Sequence, residues 1–208
     1  MLQVERPPAG SGEPASSCSP SDDTALAARL VAGDSDALAS LVARYWRPMV
    51  SFAAGRVGSQ DVAEDLVQEA FVRVWDHREQ LRADTSPRAY LYRVLRNLIT
   101  DDHRRQVHRA RWVEMRSRQV EPEVPSPALL LEADQLATAA AAAIAALPER
   151  RREVFVLAHL HGLSFKEIAV ALGITRRTVA NHMSLALKEL HSDLAPFLDR
   201  APRTRAAG

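Results

Sequence analysis

The sequence predicts an all-α chain made of two small helical domains joined by a flexible linker, the second domain carrying a helix-turn-helix. Three observations carry this expectation. Alanine, leucine and arginine dominate, and aromatics are only 5% of the residues, a composition that favours helix over strand. Apolar residues recur at helical spacing through two long stretches, with strand-forming clusters rare. Between them lies "RQVEPEVPSPA", Arg118 to Ala128, in which Pro122, Pro125 and Pro127 rule out a continuous helix.

A chain of 208 residues accommodates one large or two small domains. Its 47% hydrophobic and 25% charged residues can build a core, and the net charge of +1 points to no partner by itself. Cys18 has no second cysteine to pair with, and no Cys/His spacing suggests a metal site, so no cofactor is expected. There is no basic-then-apolar leader pattern. The longest apolar run, Leu136 to Leu147, falls short of the roughly 20 residues that cross a bilayer. A cytoplasmic protein without membrane insertion is the expectation.

In chain order, residues 1–23 are turn formers and small polar residues, and read as a disordered tail. Residues 24–105 carry the first helical signal and 106–128 form the linker. Residues 129–195 carry the second helical signal, and 196–208 form a loop-like tail.

Within the first domain, "DVAEDLVQEAFVRVWDH" (Asp61 to His77) puts Val62, Leu66, Val67, Ala70, Phe71 and Val74 on one broad buried stripe. Asp61, Asp65, Gln68 and Glu69 fall on the other side, with Glu64 flanking. An acidic helix start favoured by the helix dipole explains Asp61 and Glu64 better than Glu69. A docking surface for a basic partner explains all the carboxylates. Next, "SPRAYLYRVLRNLITDDHRR" (Ser86 to Arg105) sets Tyr90, Leu91, Val94, Leu95, Leu98 and Ile99 beside Arg88, Arg93, Arg96 and Asn97. Basic residues interleaved with rings such as Tyr92 suit single-stranded nucleic acid, with charge for phosphates and rings for stacking. Packing is the competing role for Tyr90 and Tyr92.

In the second domain, "SFKEIAVALGITRRTVANHM" runs from Ser164 to Met183. Ser164 and Glu167 have capping-box spacing, so a helix should start at Phe165 and bury Phe165, Ile168, Ala169 and Leu172. Gly173 can end it in the left-handed region. Thr175 can cap the next helix, whose apolar stripe would be Val179, Met183, Ala186, Leu187 and Leu190. This is a helix-turn-helix, whose second helix enters the major groove. Its solvent side offers Arg176, Arg177, Asn181 and His182; arginine pairs bidentately with guanine and asparagine with adenine.

Together these segments resemble the extracytoplasmic-function (ECF) sigma factors of bacterial RNA polymerase, in the sigma-70 family. "AEDLVQEAFVRVW" is similar to their core-polymerase-binding helix. "YLYRVLRNLITDDHRR" resembles their minus-ten recognition helix, and "LPERRREVFVLAHLHGLSFKEIAVALGITRRTV" their minus-thirty-five domain. The resemblance implies a promoter-specificity factor and not an enzyme. Asp61, Asp65, Gln68 and Glu69 would dock on the clamp helices of the largest subunit of core RNA polymerase. Arg88, Tyr92, Arg93, Arg96 and Asn97 would hold the non-template strand of the minus-ten element. Thr175, Arg176, Arg177, Thr178, Asn181 and His182 would meet duplex DNA at the minus-thirty-five element. The loop from Leu81 to Pro87 would hold an extruded base. Arg109, Arg111, Arg116 and Arg118 would thread the polymerase channel with the linker. An anti-sigma protein is a further expected partner.

The alternative is a response-regulator-type helix-turn-helix activator. It would need an α/β receiver, and residues 24–105 show no alternating strand signal. Hydrolase, P-loop and zinc-protease motifs are absent from the sequence, and His159 and His161 are too closely spaced on a helix to share a metal.

Overall fold

The computed structural model describes residues 20–81, 86–114 and 132–198. Every regular element among them is helical. They are α1 (Pro20–Val31), α2 (Ser35–Val57), α3 (Gln60–Asp76), a single 3-10 turn at Arg78–Gln80, α4 (Pro87–Glu114), α5 (Glu132–Ala146), α6 (Glu149–His159), α7 (Phe165–Leu172) and α8 (Arg176–Leu198). The chain divides into two compact units, one comprising α1–α4 and Lys166–Ile174, the other comprising α5, α6 and α8.

The boundaries follow local chemistry. Helix α1 ends in a Schellman turn at Gly33, whose φ of 82° an L side chain rarely adopts. The Asp34 amide donates to the Arg29 carbonyl, and the Gly33 amide to that of Leu30. Asp34 then caps α2, its carboxylate accepting from the Asp36 amide at 2.9 Å. The hydrogen bond from Arg29 holds the Asp34 carboxyl below its ordinary range. Pro87 opens α4, where a missing amide costs nothing, and Ser86 precedes it as the cap.

In the first unit α2 is the central element, packing on α1, α3 and α4. Trp46 of α2 stacks on Phe71 of α3 with centroids 6.3 Å apart. Phe52 of α2 meets Tyr92 of α4 edge-on at 5.3 Å. Leu66, Val67, Ala70, Phe71 and Val74 are buried, which is the stripe expected of α3, with Val62 at its half-buried edge.

In the second unit α8 is the backbone of the core. Ala186 and Leu190 bury against Ala143 of α5 and Leu147 just after it, with Ile144, Phe155 and Leu194 at the margin. The Arg151 guanidinium of α6 pairs with Glu189 of α8. Arg152 donates to the Ala145 carbonyl in the last turn of α5 at 2.7 Å, a cation where the helix dipole favours one.

The structure corrects several expectations. Helix α4 does not stop near Arg105 but continues to Glu114, into the expected linker. The segment lacks glycine and proline and is rich in arginine, so helix persists although no apolar stripe marks it. Helix α1 starts at Pro20, inside the expected tail. Phe165 is 38% exposed and Leu187 46% exposed, although the spacing predicts both on buried faces. Ile168 and Leu172 are buried as expected, as are Val179, Met183, Ala186 and Leu190.

Candidate nucleic-acid and protein interfaces

Helix α3 owes its start to Ser59, whose hydroxyl accepts from the Val62 amide. With Leu66, Ala70 and Val74 turned inward, Asp61, Asp65, Gln68 and Glu69 are all exposed. Their spacing places them within about 100° of arc. The carboxylates are not equivalent. Glu69 accepts from Arg73 one turn on, at 2.7 Å, and Glu64 accepts from Gln60 at 2.9 Å. Glu69 and Glu64 thus have partners on their own helix. Among the described residues Asp61 and Asp65 have no such partner. The Glu69–Arg73 pair is about half-exposed on both sides and contributes at most ~1 kcal/mol, little resistance to a competing basic partner.

On α4 the expected residues do not share one face. Arg93 and Asn97 are exposed and Arg96 half-buried beside them, and the three lie within about 100° of arc. Arg88 stands apart at the helix start. Its guanidinium lies 5.9 Å from the Tyr45 ring centroid, and its Nε is buried without a hydrogen-bond partner. Tyr92 is a correction: it is 1% exposed, locked against Phe52. It serves the core, and burial pushes its phenol well above the ordinary range, the nearby Arg88 charge only partly opposing this. Tyr90, half-exposed, is the ring nearer solvent. Of the loop expected to hold a base, Leu81 to Pro87, residues 82–85 lie outside the described residues, as do Arg116 and Arg118. Arg109 and Arg111 lie on α4, described there only as backbone.

The local turn and cap expected between α7 and α8 both form. Helix α7 ends in a second Schellman turn, the Ile174 amide donating to the Ala169 carbonyl at 3.0 Å and the Gly173 amide to that of Val170. Gly173 has φ 66°, and a Cβ there would meet no described atom within 4 Å. The backbone conformation, and not lack of space, calls for glycine. Thr175 caps α8, accepting from the Thr178 amide at 3.1 Å, and its hydroxyl lies 2.8 Å from that of Thr178. Both threonine hydroxyls are thus engaged in holding the helix start. Arg176, Arg177 and Asn181 are exposed, and His182 half-buried. Arg177 and Asn181 sit one turn apart, opposite buried Val179 and Met183. Arg176 and His182 flank them on either side.

Sequence reasoning missed the extension of this row. Ser184, Leu185 and Lys188 are exposed on the same side of α8. The only signal for them is their spacing of three, four and seven residues from Asn181. The run "RRR" of α6 behaves in the opposite way. Arg150 donates to buried Glu153 at 3.0 Å, Arg151 pairs with Glu189, and Arg152 donates to a carbonyl.

Comparison with known proteins agrees with this layout. Residues 41–109 match the family model of sigma-70 region 2, and residues 138–190 that of sigma-70 region 4. The chain is 31% identical to the ECF RNA polymerase sigma factor SigE of Mycolicibacterium smegmatis, covering 85% of this chain and 70% of that protein. It is 28% identical to the ECF RNA polymerase sigma-E factor of Escherichia coli K12, covering 86% of this chain and 97% of that one. Among solved structures it resembles CnrH, bound to the cytosolic domain of CnrY, with TM-score 0.59, 26% identity and coverage of 85% and 97%. The fold also matches RpoE of Bartonella quintana, bound to the anti-sigma factor NepR, with TM-score 0.58, 22% identity and coverage of 75% and 95%. A receiver-bearing activator is not favoured, since region 2 occupies the stretch where its α/β domain would lie. With both sigma-70 regions in order on one chain, the protein belongs to the sigma-70 family as an ECF sigma factor.

Proposed function

We propose that this promoter-recognising sigma factor engages polymerase and DNA through the three surfaces just described. Residues 24–105 serve as the core-binding and minus-ten unit, and residues 129–195 as the minus-thirty-five unit. Asp61, Asp65, Gln68 and Glu69 dock on the basic clamp helices of the largest subunit of core RNA polymerase. Arg93, Arg96 and Asn97, with Arg88 at the helix start, grip the non-template strand as the minus-ten element melts. Arg176, Arg177, Asn181 and His182 read the minus-thirty-five duplex, and Thr175 and Thr178 set the helix start that carries them. The helix's N-terminal amides suit a phosphate. The chain supplies specificity while the polymerase supplies catalysis, which places its work in the cytoplasm.

The observation that carries this reading is the pairing, on one chain, of an outward carboxylate face on α3 with an outward arginine–asparagine row on α8. A DNA-binding regulator needs the second alone. Since RpoE is bound by the anti-sigma factor NepR, an anti-sigma protein that occludes these surfaces is the expected regulator.

The test is transcription in vitro from fragmented genomic DNA of the source organism, using the full chain and core polymerase stripped of other sigma factors. Discrete transcript starts sharing two upstream elements are expected. Duplex binding without any binding to core polymerase would overturn the role given to α3.

A further inference from the structure

Resting on the reading of α8 as the duplex-facing helix, we infer that Leu185 is a specificity residue that recognises a thymine methyl group in the upstream element. Leu185 is 43% exposed although it lies on a helix whose apolar side is already filled by Val179, Met183, Ala186 and Leu190. It continues the row Arg177–Asn181 at the same four-residue step, with Ser184 and Lys188 beside it. Among the described side chains of α8 up to His191, it is the one large apolar group on that side.

The chemistry of the major groove limits what such a group can recognise. Base edges there present hydrogen-bond donors and acceptors, and the thymine C5 methyl is the apolar exception. A leucine placed among arginine and asparagine on a groove-facing row therefore selects thymine by burying that methyl. Four residues of helix advance about 6 Å, slightly under two base-pair steps of ~3.4 Å. The thymine lies one to two base pairs from the base read by Asn181. Leu187 is as exposed, at 46%, but sits round the helix near the buried edge and takes no part.

The test uses holoenzyme assembled from the full chain and core polymerase, on a promoter fragment recovered by transcript-start mapping. Each thymine of the upstream element is replaced in turn by deoxyuridine, which lacks only the C5 methyl. One position should weaken wild-type binding about fourfold, the effect of one buried methyl. Leu185→Ser should lose that distinction, Leu185→Met should retain it, and Leu187→Ser should behave as wild type. Indifference of the wild type to every uracil, with the element still preferred over a scrambled one, would overturn the thymine contact and leave the DNA-reading role intact. So would a Leu185→Ser protein that still distinguishes the two bases, or an upstream element made of G·C pairs alone. If the wild type does not prefer the element over a scrambled sequence, the reading of α8 falls as well. The uracil scan on wild-type protein needs no variant to fold.

Discussion

Replacing Tyr92 by alanine distinguishes a core residue from a base-stacking one. The side chain is 1% exposed and meets the Phe52 ring edge-on, 5.3 Å between centroids and 89° between planes. Truncating a fully buried aromatic costs about 3–5 kcal/mol through lost burial and the cavity left behind. For a unit of this size each kcal/mol lowers the melting temperature by about 4–8 °C, so Tyr92→Ala should melt at least about 12 °C lower by calorimetry. Tyr92→Phe keeps the ring pair and should assemble with polymerase and open promoter DNA at the wild-type level. The phenol adds a pH signature. Its folded-state pKa lies above the unfolded value near 10, so its contribution is complete below pH ~10 and is lost as pH rises further, when the unfolded chain releases a proton the folded chain retains. Alkaline destabilisation should accordingly be smaller in Tyr92→Phe than in wild type. A Tyr92→Ala protein that melts normally but fails to open promoters would refute this reasoning and return Tyr92 to the DNA-binding set.

Reversing charge at Asp61 and Asp65 together to lysine should cost about 1–2 kcal/mol, chiefly from Asp61 in the first turn of α3, where the helix dipole favours a negative charge, and should leave the unit folded. Binding to core polymerase should fall more than tenfold in a pull-down titration, and unchanged binding would remove α3 from the interface. Thr175→Ala deletes the cap on the Thr178 amide and should cost about 1 kcal/mol in thermal melts, with upstream-element binding weakened and Thr175→Ser close to wild type. Arg177→Ala should lose discrimination between promoter and scrambled duplex more than total affinity. If it only flattens the salt dependence, Arg177 is a phosphate contact.

The turn between α7 and α8 is legible in the sequence because its determinants are local. Gly173, Thr175 and the apolar spacing each act within a few residues, and the Schellman bonds close over the same stretch. The outward face of α3 is legible for the same reason, although the Arg73 that pairs with Glu69 lies one turn beyond the acidic run. Tyr90 and Tyr92 are not separable by sequence. Both border the stripe of Leu91, Leu95 and Leu98, and what places Tyr92 inside is Phe52, forty residues away on α2. The reach of α4 beyond Arg105 escapes because periodicity detects a buried face, and past Ile99 the described side chains bury none.

The arginines show why local charge density is a poor guide to a nucleic-acid surface. The densest basic run in the second helical region, Arg150 to Arg152, is occupied by Glu153, Glu189 and the end of α5. A guanidinium whose charge is already offset by a carboxylate or a helix C-terminus presents less net charge to a phosphate, even with N–H groups to spare. It also releases few counterions on binding DNA. The salt dependence of duplex binding should therefore be carried by the spaced cations of α8 and should be nearly unchanged in Arg151→Ala. A loss in Arg151→Ala as large as that in Arg177→Ala would mean that the Glu189 pair yields to DNA, and that α6 belongs to the interface.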